Sequence, residues 1–269
     1  MPIAMVRLVC IDVDGTLVGS SGSVHEAVWP AAAALREAGV RLAIASGRPA
    51  FGVARAHAQR LMPDGWHIFQ SGASLVHLGT GASRSAPIEP ACVQRLIARA
   101  REVGRDLELY ADLEYAIESH SARAQAHAAL LGVPFAPRAL ESLTAPVVRA
   151  QWMVAHHEVE SLRAELDPEL TLSSAGSPVM PDTAFVSLTR KGIDKASAVR
   201  TVAEAYGVAL AEVMFVGDGD NDLGALRIVG VPVAMGNAEA AVKAVATHHV
   251  GHVDEGGLAE ALRLATFAD

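Results

Sequence analysis

The fold that this chain can adopt is constrained most by its short apolar runs. Several of these runs are nearly continuous rather than alternating between polar and apolar residues. Three of these runs, at residues 6–11, 40–45 and 213–216, have the composition of strands that are covered on both faces. Such strands occur in parallel sheets, whose faces are packed against helices. Further apolar runs lie at 67–69, 231–234 and 249–253, so the pattern predicts six strands.

Helical patterns lie between several of these runs, at residues 28–38, 49–61 and 194–206. Gly39 and Gly207 follow two of the patterns, at the position where a glycine commonly ends a helix. Asp194 stands at the start of the third pattern, where its side chain can accept a hydrogen bond from the first turn. Alternating strands and helices predict an α/β fold with a doubly wound, Rossmann-like parallel sheet as its core.

The segment from 85 to 185 is organised differently. It has helical patterns at 90–103, 121–131 and 158–166, and predicted strands at 106–110, 115–118, 147–155 and 170–173. Because these strands do not alternate regularly with helices, we predict an α+β domain inserted into a core made of residues 1–84 and 186–269. Gly-, Ser- and Pro-rich stretches at 80–87 and 173–183 are the predicted hinges. On the predicted strand 147–155, we expect Trp152 and Met153 to be packed and Arg149 to be exposed.

Composition narrows the classes of function that the chain can have. The 269 residues are 51% hydrophobic and 4% aromatic, and their formal net charge is -8. Negative charge and few aromatic rings disfavour nucleic-acid binding, which uses clustered Lys and Arg or stacking side chains. Two cysteines, Cys10 and Cys92, make no disulfide framework. No apolar run reaches the roughly 18 residues of a membrane span and no signal-peptide pattern opens the chain, so we expect a cytoplasmic protein.

Polar clusters follow three of the predicted strands, where the sequence reads IDVDGT, IASGR and FVGDGDND. The carboxyl ends of parallel strands lie at one edge of a sheet, and ligands of α/β folds bind there. We therefore expect the three clusters to meet in one crevice. Their candidate site residues are Asp12, Asp14, Ser46, Gly47, Asp218, Asn221 and Asp222.

The residue types in this crevice indicate a site for a metal ion and a phosphoryl group. Clustered carboxylates repel one another unless a cation lies between them, and oxygen ligands favour Mg²⁺ when waters and phosphate oxygens complete the shell. The hydroxyl and backbone N–H groups of the SGR segment, ahead of a helix, suit an anion. A cation, an anion site and a free carboxylate together are typical of phosphoryl transfer.

The order and spacing of these motifs resemble the haloacid dehalogenase (HAD) superfamily, and within it the Cof-type phosphatases with a large, type IIB cap. IDVDGTL resembles the first motif, ASGR the second, a lysine within RKGIDKASAV the third and GDGDND the fourth. AMGNA, at 234–238, resembles a further Cof segment. The sequence departs from the Cof pattern at Ser71-Gly72-Ala73, where relatives usually have Asn-Gly-Ala. The resemblance implies that the inserted domain, 85–185, is the cap.

The resemblance also implies a role for each matching residue. Asp12 would be the nucleophile that forms an aspartyl-phosphate, Asp14 the general acid and base, and Lys195 the group that stabilises charge on Asp12 and the phosphate. The spacing of the third motif favours Lys195 over Lys191. The implied phosphate-binding residues are Ser46, Gly47 and Asn221, and the implied Mg²⁺ ligands are Asp12, the backbone carbonyl of Asp14, Asp218 and Asp222.

We therefore expect a Mg²⁺-dependent phosphatase that acts on a small phosphorylated metabolite, with sugar phosphates as the leading class. Two alternatives use the same motifs: a phosphotransferase similar to phosphomannomutase, and a non-catalytic sensor of a phosphate-containing ligand. Neither nucleic acid nor a membrane is expected as a partner. The sequence leaves both a monomer and a homodimer open.

Overall fold

The structure is a computed structural model and describes residues 5–177 and 179–265. Its strands are β1 (Leu8–Ile11), β2 (Arg41–Ile44), β3 (Trp66–Phe69), β4 (Ser74–His77), β5 (Asp106–Tyr110), β6 (Tyr115–Ile117), β7 (Arg149–Val154), β8 (Leu170–Ser177), β9 (Met180–Arg190), β10 (Val213–Gly217), β11 (Val231–Ala234) and β12 (His248–His249). Its α-helices are α1 (Val28–Glu37), α2 (Gly52–Leu61), α3 (Pro90–Val103), α4 (Ala122–Leu131), α5 (Val159–Ala164), α6 (Lys195–Tyr206), α7 (Leu223–Leu226), α8 (Ala240–Val245) and α9 (Gly257–Leu264). Within the described ranges, no helix has the length and apolar character needed to span a bilayer.

The chain forms two compact units. The first comprises the described residues of 1–47, 56–84 and 194–269, and the second comprises 48–55 and the described residues of 85–193. The second unit thus includes two short segments, 48–55 and 186–193, that the sequence assigned to the core. For the first segment, the ring of Phe51 stacks on the rings of Tyr110 and Tyr115 at centroid distances of 6.2 and 5.8 Å. For the second, residues 186–190 belong to β9, which pairs with β7 and β8. The roles of the units as catalytic core and cap stay a prediction.

A five-stranded parallel sheet, ordered β12-β11-β10-β1-β2, organises the first unit. β1 pairs with β10 on one side and with β2 on the other, and all of its residues are buried. Burial on both faces explains its apolar sequence. The predicted α/β fold with a parallel sheet is confirmed. The sixth predicted strand, 249–253, is displaced, because β12 covers only His248–His249.

The third apolar run, at 67–69, does not become a regular strand of the parallel sheet. It forms β3, which pairs antiparallel with β4 and reaches the parallel sheet through an isolated bridge, Ala45 to Ile68. The buried His67 ring explains the difference. Its Nδ1 accepts a hydrogen bond from the N–H of Ile44 in β2 at 3.1 Å, so a side chain replaces a ladder hydrogen bond. Its Nε2 donates to the carbonyl of Met62 at 2.8 Å.

Helix α6 has the caps that the sequence predicts. The carboxylate of Asp194 accepts a hydrogen bond from the N–H of Ser197 at 2.7 Å, and the Ser197 hydroxyl accepts one from the Asp194 N–H at 3.0 Å. Gly207 ends the helix in the left-handed conformation, with φ +62°. This reciprocal cap fixes the first turn of α6, which begins with Lys195.

An antiparallel sheet, ordered β6-β5-β7-β9-β8, organises the second unit. β8 and β9 pair as a hairpin from Leu170 and Arg190 to Ser177 and Met180. The predicted hinge at 173–183 is therefore wrong. Residues 173–175 and 177 of this stretch pair with β9, and this cross-strand pairing outweighs its turn-like composition.

Side chains alternate between the two faces of β7, as the pleat of a strand requires. Trp152 packs in the apolar cluster of one face, and Met153 packs beside Phe185 on the other, so both are packed as expected. The expected exposure of Arg149 is wrong. Its side chain is buried, with Cζ 4.1 Å from the centroid of the Tyr110 ring, because the aromatic face accommodates the flat guanidinium.

Because the His67 ring is buried, we expect the folded protein to lose stability in acid. Burial lowers the pKa of its imidazole from 6.5 to about 4. An unfolded chain protonates the ring below about pH 6.5, whereas the folded state resists the proton until about pH 4. This difference contributes roughly 3 kcal/mol to the free energy of unfolding. The contribution is complete above pH 6.5 and is lost as the pH falls to 4. Urea unfolding across this pH range measures it.

The control compares His67→Gln with His25→Gln, since His25 is exposed in the same unit. His67→Gln should flatten the pH dependence of the unfolding free energy between pH 6.5 and 4, and His25→Gln should retain it. Equal slopes in the two variants would contradict this assignment.

Candidate functional site

Two carboxylates follow neighbouring parallel strands at the same edge of the sheet. Asp12 comes directly after β1, and Asp218 comes directly after β10. The two strands pair in register along their length. The N–H of Asp12 extends this ladder by donating to the carbonyl of Val216 at 3.0 Å. Regular strand pairing therefore sets the positions of both residues.

Lys195 joins two of the carboxylates. Its Nζ donates hydrogen bonds to Oδ1 of Asp12 at 2.5 Å and to Oδ1 of Asp222 at 2.6 Å. The side chain is 1% exposed, so these ion pairs are shielded from water. Lys191, the other candidate of the third motif, is exposed. The structure thus brings Lys195 to the carboxylates through the capped start of α6.

Asp222 folds back onto the end of β10. Its Oδ2 accepts hydrogen bonds from the N–H groups of Asp218 at 3.1 Å and Gly219 at 3.2 Å, while Oδ1 faces Lys195. A Cβ on Gly217 would lie 2.4 Å from Oδ2 of Asp222, so a glycine is required at this close approach. Asp222 thus shapes the turn that carries Asp218 and also orients the lysine.

Residues of the first motif, IDVDGT, hold the carboxylate of Asp218 in place. Its Oδ1 accepts a hydrogen bond from the hydroxyl of Thr16 at 3.0 Å. Gly15 has φ +87°, and a Cβ there would lie 2.2 Å from Oδ2 of Asp218. The glycine of IDVDGT therefore serves both a left-handed turn and the packing of a carboxylate against the backbone.

The pKa values of the site reflect burial first and the gathered negative charge second. Burial raises the pKa of Asp12 well above its usual range, and the charges of Asp222 and Asp218 act in the same direction against Lys195. Burial also raises the pKa of Asp218 to about 6. Burial by itself would lower the pKa of Lys195, but Asp12 and Asp222 outweigh it and raise this pKa. One ammonium faces three carboxylates, so a further cation would be stabilised here.

Among the described residues, Asp12, Asp218 and Asp222 form a group that can hold a metal ion. Each offers a carboxylate oxygen, and these oxygens lie within 4.8 Å of one another. The set fits a hard cation such as Mg²⁺, because every donor is an oxygen. The carboxylate of Asp14 is not part of this group. Its side chain is exposed, and the contribution predicted for Asp14 is its backbone carbonyl.

Ser46 and Gly47 lie near the end of β2, the other neighbour of β1. Ser46 is buried, and its N–H donates to the carbonyl of Ile68 while its carbonyl accepts from the N–H of Ser71, both at 2.9 Å. Ser71 has φ +56°, a left-handed conformation in which asparagine is favoured. The Cof pattern has Asn here, so the departure affects a residue that supports the Ser46 segment. Asn221 is exposed beyond β10.

Sequence reasoning gave no role to two residues that contact Asp218, namely Thr16 and Asn237. Nδ2 of Asn237 donates to the carbonyl of Gly15 at 2.8 Å and to Oδ2 of Asp218 at 3.3 Å. Both residues lie inside sequence motifs, Thr16 in IDVDGT and Asn237 in AMGNA, and this position is the signal that could have identified them. Their partners are distant in the sequence, so only the fold reveals what they contact.

Comparison with known proteins shows which family of proteins this chain resembles over most of its length. Residues 9–262 match a family model described as haloacid dehalogenase-like hydrolase. The chain is 26% identical over 263 residues to the HMP-PP phosphatase of Cronobacter sakazakii, and the match covers 96% of this chain and 95% of the relative. The residues matched by the family model, 9–262, include every motif of the site.

Solved structures share the architecture over nearly the whole chain. A haloacid dehalogenase-like hydrolase from Bacteroides thetaiotaomicron has a TM-score of 0.85 and 26% identity, covering 96% of this chain and 98% of that chain. The HAD subclass IIB sugar phosphatase BT4131 has a TM-score of 0.78 and 23% identity, covering 96% and 98% of the two chains. This second likeness shows the fold alone.

Removing the buried ammonium should destabilise the first unit. In Lys195→Met, Asp12 and Asp222 lose their shared counter-charge, so the unfolding free energy should fall by about 3 kcal/mol or more. Urea unfolding at neutral pH, with chelator present, measures the loss. The matched control is Lys191→Met, an exposed lysine that should change stability by at most about 0.5 kcal/mol. Equal stability of the two variants would refute the role given to the ion pairs.

Proposed function

Because the chain belongs to the haloacid dehalogenase-like hydrolase family, we propose that it is a phosphatase that removes the phosphoryl group from a small phosphorylated metabolite. One observation carries the proposal. A buried ammonium, that of Lys195, holds the carboxylate of Asp12 in place at 2.5 Å, at the carboxyl end of β1. A fixed, partly neutralised carboxylate at this edge suits attack on a phosphoryl group, for which positioning and charge stabilisation are the main requirements.

In the proposed reaction, a carboxylate oxygen of Asp12 forms a bond to phosphorus while the bond from phosphorus to the leaving oxygen breaks. Asp14, whose side chain is exposed, donates its proton to that leaving oxygen. Asp14 then takes a proton from water, whose oxygen attacks the phosphorus of the aspartyl-phosphate. This step frees the carboxylate of Asp12 and releases inorganic phosphate. Lys195 stabilises the charge on Asp12 and on the phosphoryl oxygens throughout.

We propose Mg²⁺ as the cofactor, held by Asp12, the backbone carbonyl of Asp14 and Asp218, with Asp222 contributing directly or through water. The support is the donor set, in which three carboxylate oxygens lie within 4.8 Å and one lysine leaves their charge uncompensated. When bound, the ion supplies positive charge to the phosphoryl oxygens. Asp222 already uses Oδ2 for two backbone N–H groups, which favours its supporting role.

Ser46, Gly47 and Asn221 are the proposed contacts of the transferring phosphoryl group. Ser46 is fixed through two backbone hydrogen bonds, to Ile68 and from Ser71, which support a rigid oxygen-binding segment. Gly47 adds a backbone N–H without a side chain that would obstruct an anion. Asn221 is exposed in the turn after β10 and provides a neutral amide donor.

The proposed substrate class is sugar phosphates, and the second unit is the proposed cap that selects among them. A sugar phosphatase shares this fold, although HMP-PP phosphatase is named for a different substrate. The net charge of -8 supports a small substrate over a nucleic acid, because polyanions bind to clustered basic residues.

Phosphate release from sugar phosphates, nucleotides and p-nitrophenyl phosphate tests the proposal. Release should require Mg²⁺, stop with chelator and fall by more than about 1,000-fold in Asp12→Asn, because the amide is a far weaker nucleophile. The matched control is Asp220→Asn, an exposed carboxylate of the same turn, which should retain release.

Two outcomes would contradict a phosphatase. An isomerised sugar phosphate without free phosphate would indicate a phosphotransferase of the phosphomannomutase type. Metal and ligand binding with no turnover of any compound would indicate a sensor.

A further inference from the structure

Asn237 connects three segments of the first unit. It lies between β11 and α8, in the AMGNA segment. Its Nδ2 donates to the carbonyl of Gly15 at 2.8 Å and to Oδ2 of Asp218 at 3.3 Å. Its Oδ1 accepts a hydrogen bond from the N–H of Val253 at 3.0 Å. One amide therefore satisfies groups from the first motif, the fourth motif and the chain after β12.

Backbone hydrogen bonds hold the AMGNA segment against the turn that carries Asp218. The N–H of Met235 donates to the carbonyl of Gly217 at 3.1 Å, and the N–H of Glu239 donates to the carbonyl of Asp218 at 3.0 Å. These bonds lie on either side of Asn237 in the sequence. The position of its amide relative to the carboxylate is thus set by the backbone as well as by its own contacts.

Asn237 and Thr16 between them set the orientation of the Asp218 carboxylate. The Thr16 hydroxyl donates to Oδ1 at 3.0 Å, and the Asn237 amide donates to Oδ2. With a donor on each oxygen, the carboxylate loses its rotational freedom before a cation arrives. A ligand that is already ordered sacrifices less conformational entropy on binding, and this strengthens the complex.

A neutral amide is the side chain that suits this position. A lysine would neutralise Asp218 and weaken its attraction for a cation, and another carboxylate would repel Asp218 and accept where a donor is needed. The amide donates to both Asp218 and the Gly15 carbonyl without altering the net charge of the site.

We propose that Asn237 is a positioning residue that raises the affinity of the carboxylate site for a divalent cation by fixing Asp218 and the Gly15 turn. The inference rests on the metal site of the proposed function and extends it to a residue outside the four motifs. Asn237 acts through Asp218, so its effect is on cation affinity.

Calorimetric titration of the metal-free protein with Mn²⁺ tests the proposal without a substrate. Asn237→Ala should raise the dissociation constant about 10-fold, the lower end of the range for lost ligand-orienting contacts. The matched control is Lys243→Met. Nζ of Lys243 donates to the carbonyl of Gly236 at 2.6 Å, so this variant loses a hydrogen bond to the same segment without affecting Asp218. Its dissociation constant should stay within twofold of the unmutated value.

Asn237→Ser provides a second variant if Asn237→Ala does not fold, because its short hydroxyl does not span both partners. It should weaken Mn²⁺ binding in the same direction. Unchanged affinity in a folded Asn237 variant, or an equal loss in Lys243→Met, would overturn the inference. A protein that binds Mn²⁺ as predicted but releases no phosphate would contradict only the phosphatase. An unmutated protein that binds no Mn²⁺ would overturn the metal site and this inference together.

Discussion

A buried ammonium between two carboxylates is the interaction on which the candidate site depends. Lys195 contacts Asp12 and Asp222, and Asp218 adds a third carboxylate close by. Removing these charges from water is costly, and the cost is offset only where partners are well placed. The partners here are the lysine, two backbone N–H groups, a hydroxyl and an amide. The remaining negative charge is what makes the site receptive to a cation.

The requirements of this cluster extend into the surrounding fold. Gly15 and Gly217 lack the Cβ atoms that would collide with Asp218 and Asp222. The cap of α6 fixes the residue from which the lysine extends. Since these supports come from separate strands and a helix of one unit, the charges are held before any substrate binds. Such preorganisation suits phosphoryl transfer, where the protein mainly positions and stabilises charge.

The sequence predicted those parts of the structure that follow from local pattern. Continuous apolar runs identified β1, β2 and β10, and the rule for parallel strands brought Asp12 and Asp218 to one edge. The errors arose where side-chain contacts and strand pairing decide the structure. The ring of His67 diverts β3 from the parallel ladder, and strand pairing converts a turn-like stretch into the β8–β9 hairpin. The sequence predicted no role for Asn237, because its hydrogen-bond partner Gly15 lies 222 positions away.

The central claim is that Asp12 carries the phosphoryl group during turnover. Borohydride reduces an acyl phosphate to an alcohol, so trapping during turnover should convert residue 12 to homoserine, and mass spectrometry of the peptide that contains it can detect the change. We expect the conversion at residue 12 only with substrate and Mg²⁺ present, and not when chelator replaces the metal. Phosphate release with no conversion at residue 12, or with conversion at another carboxylate, would contradict the account.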